Sequence, residues 1–294
     1  MKVASFILGL VLVSLLNAPA QVVTVQVTTE QDQFLPGESL PVAVRIFNNS
    51  GQPLHLGADE KWLTFNVESV DNNAAVTRHD DPPVAGEFDL GSSEVATKRL
   101  DLAPYFSLTH PGPYRVVATL HIKQWSADVA SPEKKFDIIN GALLWAQDFG
   151  VPLPPGVTNQ PPVVRKYTLE EANYLRKQLR MYVLVSDPSG SHILKVTAIG
   201  PMVSFSRPEV QLDGAANLHV IYQSGAQSFI YSVINPDGDI AQQEIYDYVG
   251  TRPRLAVNAA GDIVEQGGVR RPKAGELPTV KAPDEAPAPA PVKP

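Results

Sequence analysis

Imidazole is the side chain that changes charge nearest neutral pH and the commonest metal ligand, so the histidines come first. There are six, at 55, 79, 110, 121, 192 and 219. No two stand as H-x-x-x-H or within H-E-x-x-H, the spacing that puts two imidazoles on one helix face for zinc. His79-Asp80-Asp81 is the one local cluster of metal-ligating types. Consecutive residues of an extended chain point to alternate sides, so the three make an awkward set of ligands. Pro82-Pro83 directly after them marks a solvated surface turn. Asn235-Pro236-Asp237-Gly238-Asp239 invites a calcium reading, because Asn235, Asp237, Gly238 and Glu244 fall at positions 3, 5, 6 and 12 of an EF-hand loop. Position 1 is then Val233, which has no side-chain oxygen, and an Asp-Gly turn between two strands is expected instead.

Nucleophilic and phosphate chemistry leave no signature. The chain contains no G-x-S-x-G, G-x-x-x-x-G-K-[ST] or G-x-G-x-x-G, and Ser204 and Ser206 lie in β-patterned sequence. Acid pairs such as those of glycosidases are defined by their separation in space, so Glu30, Glu68, Asp101 and Asp213 carry no ranking from sequence. No cofactor is implied. Among the aromatics, Trp145, Phe149, Tyr222 and Tyr231 are the candidates for stacking on a sugar or peptide. Trp145 and Phe149 are expected to pack on a neighbouring domain. Tyr222 and Tyr231 lie in facing strand segments around Ser224-Gly225, where a cross-strand aromatic contact is the structural expectation. Asn48-Asn49-Ser50 is a glycosylation sequon by rule.

The elements that must hold these residues read as strands. Val23, Val25 and Val27 alternate with polar residues, as do Val42, Val44 and Ile46, then Leu63, Phe65 and Val67, then Tyr114 through Ile122. Period two marks strands with one buried face. Turn chemistry breaks the pattern at Pro36-Gly37, Asn48 to Gly51, Asp71-Asn72-Asn73 and Pro111-Gly112-Pro113. About seven short strands in ~120 residues is the count of an immunoglobulin-like sandwich. Pro36-Gly37-Glu38-Ser39-Leu40 with Phe47 to Gly51, and Leu108 to Val116 with Tyr114 opening a strand, resemble bacterial immunoglobulin-like modules over residues 21–140. That resemblance implies a fold and no activity.

Beyond the sandwich, residues 141–162 read as a proline-rich linker or apolar strap. Thr168-Leu169-Glu170-Glu171 has the form of a capping box, which predicts a short helix over about 169–178. Period two then returns through residues 163–271. Arg207-Pro208 to Leu218 parallels Arg252-Pro253 to Ile263 at a constant offset of 45 (252 − 207 = 45). Periods near 40–45 residues are those of four-stranded propeller blades, and the segment resembles hairpins of exported β-propellers. It lacks the S-x-D-x-G-x-x-W box of the sialidase-like kind. The domain expected is a β-meander with blade-like hairpins.

The termini set the compartment. Met1-Lys2, the apolar run Val3 to Leu16 and Asn17-Ala18-Pro19-Ala20 have the form of a secretory signal ending at Ala20. The run falls short of the ~20 apolar residues needed to span a bilayer. Residues 272–294 are rich in Pro and Ala, a composition that cannot bury a core. A net charge of −7 argues against nucleic acid as partner, and the absence of cysteine excludes disulfides and thiolate sites. The expectation is an all-β, periplasmic or extracellular, non-enzymatic binding or structural protein. Its partner is a protein or cell-envelope component, with carbohydrate a further option. A carbohydrate-active enzyme or its accessory module is the alternative, and a proteinase inhibitor the second.

Overall fold

A computed structural model describes residues 23–71, 73–153, 161, 163–174, 178–273 and 276. The expected signal segment and nearly all of the proline-rich tail lie outside the described residues. The chain is all-β and divides into two units, 1–139 and 140–294. Among the described residues no helix is long and apolar enough to cross a membrane.

The first unit is a β-sandwich. One sheet joins β1 (Val23–Thr29), β3 (Pro41–Asn48) and β8 (Glu94–Asp101) in the order β1-β3-β8. The other holds β2 (Gln33–Phe34), β5 (Leu63–Ser69), β6 (Ala74–Ala75), β9 (Gly112–Ile122), β10 (Ala127–Ala130) and β11 (Lys134–Ile138). Its order is β2-β11-β9-β5-β6, with β10 also on β9. A two-stranded ladder of β4 (Leu54–Leu56) and β7 (Phe88–Leu90) stands beside them. The alternating residues of both sheets fill one core, including Val25, Val44, Ile46, Phe65, Val116 and Leu120. β2 pairs parallel with β11, and Tyr114 Oη donates to the His110 carbonyl at 2.7 Å in a tyrosine corner. The tyrosine fixes the chain's turn into β9 because its ring is buried while its hydroxyl satisfies a loop carbonyl.

The second unit is a pair of antiparallel meanders with a hairpin. The first meander runs β12 (Ala142–Gly150), β13 (Val164–Tyr174), β14 (Gln178–Ser186), β15 (Ile193–Met202) in sequence order. The second runs β16 (Glu209–Leu212), β17 (Leu218–Gln223), β18 (Ser228–Ile234), β19 (Ile240–Asp247), with β22 (Val269–Arg270) added to β19. β20 (Arg254–Val257) and β21 (Ile263–Gln266) form the hairpin. Tyr167, Leu169, Met181, Val183 and Val185 of the first meander share a core with Leu218, Val220, Tyr222 and Ile234 of the second. On the opposite face of the second meander, Ile221, Phe229, Tyr231, Val233 and Tyr246 pack with Leu255 of the hairpin.

The repeat spaced by 45 residues corresponds to the hairpins β16–β17 and β20–β21, and its turns share one hydrogen-bond pattern. Asp213 N–H donates to the Asn217 carbonyl and Asn258 N–H to the Asp262 carbonyl. The first side chain of each turn accepts two backbone amides, Ala215 and Asn217 on Asp213 Oδ1, Ala260 and Asp262 on Asn258 Oδ1. The calcium candidate is a third copy of this turn, with Asn235 Oδ1 accepting from Asp237 and Asp239. Its carboxylates are engaged elsewhere, Asp237 with Arg165 and Asp239 with Lys195.

Two sequence expectations are corrected here. The capping box at 168–171 does not open a helix: Thr168 pairs with Leu184 inside β13, and Tyr167 and Leu169 are fully buried on its inner face. A cap contributes ~1 kcal/mol, which the burial of two large side chains outweighs. The segment read as a strap or linker is in part β12, paired with β13 along its length. A bulge between Leu143 and Trp145 breaks its alternation, which is why period two is not visible there.

Candidate functional site

The four aromatic candidates are structural. Phe149 stacks on Tyr167 at 4.1 Å between ring centroids, inside the second unit's own core, and Trp145 packs against the same cluster. Tyr222 pairs with Ile230 and Tyr231 with Ile221, so the two tyrosines lie on adjacent strands but on opposite faces of the sheet. The expected cross-strand aromatic pair is therefore absent. Tyr222 Oη donates to the Ile199 carbonyl at 2.6 Å, and Tyr231 Oη meets His219 Nδ1 at 2.8 Å. Burial pushes the Tyr231 phenol up to about 12, with nearby Glu265, Glu244 and Asp213 adding to it. The sequon asparagine is also structural. Asn48 is fully buried, and its Nδ2 approaches the carbonyls of Gln52, Leu90 and Gly91 at 2.7–3.1 Å.

The nearest approach to an acid pair in the second unit is Glu244 and Glu265. Both reach the hydroxyl of Tyr246, at 3.1 and 2.5 Å, and Arg270 binds Glu244 at 3.0 Å. The phenol lies between them and hydrogen-bonds to both. Burial raises the Tyr246 pKa, and the Glu265 carboxylate raises it further, so the phenol stays protonated as the bridging donor.

Side chains converge on open space in both units: in the second, Glu209, Arg252, Arg254 and Gln266 line a cleft of about 640 Å³, and the acidic one lies in the first. Residues 57–61 and 80–85 face one another across a cleft of about 430 Å³. Asp59, Glu60, Asp80 and Asp81 line it, with Lys61 the only basic side chain among the lining residues. Two of the three residues nominated as metal ligands, Asp80 and Asp81, thus reach a shared wall, but not as a metal set. Asp81 pairs with Arg78 at 2.8 Å, and Asp80 Oδ1 accepts the Asp81 amide. The third, His79, donates its backbone amide to the Tyr105 carbonyl. Among the described residues no three His, Asp or Glu side chains are grouped to hold an ion.

The cleft's shape follows from how its loops are pinned. Leu54 and Leu56 of β4 and Leu90 of β7 are buried, anchoring a ladder that draws residues 57–61 toward 82–87. Gly57 has φ +89°, and a Cβ there would lie 2.3 Å from the Gly86 carbonyl oxygen. Only glycine permits that approach. The Trp62 indole is buried against Phe88, edge to face at 5.8 Å, and its Nε1 donates to the Val84 carbonyl at 2.8 Å. Lys98 Nζ stands 4.5 Å from the Phe88 ring.

Beside the cleft, a smaller cavity of about 120 Å³ shares Gly57, Ala58 and Asp59 and adds His55, His121 and Lys123. His55 bridges Asp89 (Nδ1 to Oδ1, 2.7 Å) and Glu87 (Nε2 to Oε1, 2.5 Å). Both ring nitrogens must donate, which only the imidazolium can do. Asp89 first and Glu87 second therefore raise its pKa above the usual histidine value.

Sequence reasoning missed His55, Glu87, Asp89, Asp59 and Glu60. The run Asp59-Glu60-Lys61 before a tryptophan is a visible signal, but nothing local joins it to Asp80-Asp81.

No protein-family model matches the chain, and no curated protein matches it either. Among solved structures it has a slight likeness to the sporulation control protein Spo0M from Bacillus subtilis. That match has 14% identity and a TM-score of 0.31, over 69% of this chain and 79% of that one. A likeness of that size carries no argument about this protein.

Proposed function

We propose that this is an exported, non-enzymatic binding protein whose sandwich unit, immunoglobulin-like in type, holds a cationic segment of a partner protein or envelope component in the loop-built cleft. One observation carries the reading: four carboxylates and one ammonium line a concave wall shaped by glycine and tryptophan contacts, and among the described residues only two of the four, Asp59 and Asp81, pair with the flanking cations Lys123 and Arg78. Loops at the end of a rigid sandwich are where such folds place recognition. An anionic wall of this kind favours Lys- or Arg-bearing ligands and steers their approach. The signal-like N-terminus supports export.

The test is a titration of the full mature chain with a lysine-rich peptide, followed by anisotropy. Saturable binding that weakens at least tenfold in the Asp59→Asn/Glu60→Gln/Asp80→Asn/Asp81→Asn variant supports the proposal. Equal binding by that variant, or a larger loss in an Asp148→Asn control, contradicts it.

A further inference from the structure

We propose that β21 is a homotypic docking edge, through which two copies of this chain pair antiparallel to complete a four-stranded sheet. The second unit builds two meanders of at least four strands, and the second copy of the repeat then follows. Its first hairpin, β20–β21, matches β16–β17 residue for residue in offset and turn bonding. Among the described residues, strands equivalent to β18 and β19 do not follow. Instead Gly267 and Gly268 turn the chain back, and β22 adds to β19.

The hydrogen-bond register identifies what is left open. Asn258 N–H bonds the Asp262 carbonyl, so alternation makes Ala256↔Val264 and Arg254↔Gln266 the bonded pairs. The Leu255 amide confirms the phase, because it points away from β21 and donates to Glu209 Oε2 at 3.0 Å. On β21 the N–H and C=O of Ile263 and Glu265 therefore face outward, and among the described residues no strand pairs with them. The side chains of Ile263 and Glu265 turn inward, toward the Tyr246 cluster, which leaves Val264 on the outer face.

Two other edges of the second unit carry devices that deter pairing: β12 is bulged, and β15 bears Lys195, Pro201 and two register shifts. β19 is covered by β22, and β16, the far edge of that sheet, is four residues long with Glu209 at its start. β21 has no proline, no bulge and no outward charge.

The edge is also self-complementary. A two-fold axis at Val264 sets Ile263 opposite Glu265 of the second copy and the reverse, giving four main-chain hydrogen bonds with no like charges facing. Val264 then meets its own copy in a non-hydrogen-bonded pair, where Cα atoms approach to about 4.5 Å, within disulfide span.

The chain has no cysteine, so Val264→Cys tests the register without background. Under mild oxidation the full-length variant is expected to form a disulfide dimer at least tenfold faster than Leu194→Cys, an exposed position on β15. Val264→Lys and Val264→Glu, each with an unchanged circular dichroism spectrum, are expected to be monomeric by light scattering and to form a dimer when mixed. A wild-type mass that stays monomeric at the highest soluble concentration overturns the proposal. So does cross-linking no faster than the Leu194→Cys control. Neither outcome bears on the cleft of the first unit, so the two proposals fail separately.

Discussion

Replacing Gly57 by alanine tests whether the cleft's walls are held by close backbone approach. Gly57 sits at φ +89°, and an added Cβ would lie 2.3 Å from the Gly86 oxygen and 2.9 Å from the Glu87 Cα. Ordinary contact distances are about 3.5–4 Å, so the loops must separate by more than an ångström. Gly51 supplies the control, with φ +80° and nothing within 4 Å of the added methyl. Gly51→Ala should then cost only the left-handed backbone term, about 1–2 kcal/mol. Gly57→Ala carries the same term plus about 1–3 kcal/mol of overpacking, a total of roughly 2–5. With a urea dependence of about 2 kcal/mol/M, the midpoint should fall by ~0.5–1 M for Gly51→Ala and by ~1–2.5 M for Gly57→Ala. The assay is urea unfolding followed by tryptophan fluorescence in a Trp145→Phe background, where both remaining indoles belong to the first unit. Equal shifts for the two variants would refute the reasoning, because the backbone term alone would then account for both.

Three further outcomes are expected. Tyr114→Phe removes the 2.7 Å bond to the His110 carbonyl and should destabilise the first unit by about 0.5–1.5 kcal/mol in the same urea assay. Asn235→Ala removes the acceptor shared by the Asp237 and Asp239 amides and should cost ~1–2 kcal/mol in calorimetry, without any calcium dependence before or after the change. His55 should titrate above 6.5 by NMR, and Asp89→Asn with Glu87→Gln should return it toward that value. Because its folded pKa is the higher one, its stabilising contribution is complete below about pH 6.5 and is lost as pH rises through the folded value. A wild-type titration at or below 6.5 contradicts the bridged geometry.

Much of the fold is legible in the sequence because its signals are local. Alternation at Val23 to Val27, Val42 to Ile46 and Tyr114 to Ile122 places strands whose inner residues are all buried. The 45-residue offset reads directly because each copy carries its own side-chain-capped turn. What escapes is set by pairing. Leu169 fits a capping box in isolation and a buried ladder in context, and β12 loses its period to a bulge. One residue of register decides that Tyr222 and Tyr231 face opposite ways, and no composition records it. The cleft is the extreme case. Residues 57–61 and 80–85 meet only because two three-residue strands, Leu54–Leu56 and Phe88–Leu90, pair across the intervening chain. Gly57 is the local trace of that meeting, meaningful only once Gly86 is seen against it.

The most direct test of the account is an amide chemical-shift map of the full chain titrated with a lysine-rich peptide. The account predicts saturable shifts concentrated in residues 57–61 and 80–85, with the Trp62 indole proton moving because it bonds the Val84 carbonyl on the cleft wall. Shifts spread evenly over the surface carboxylates, or centred in the second unit, would contradict it.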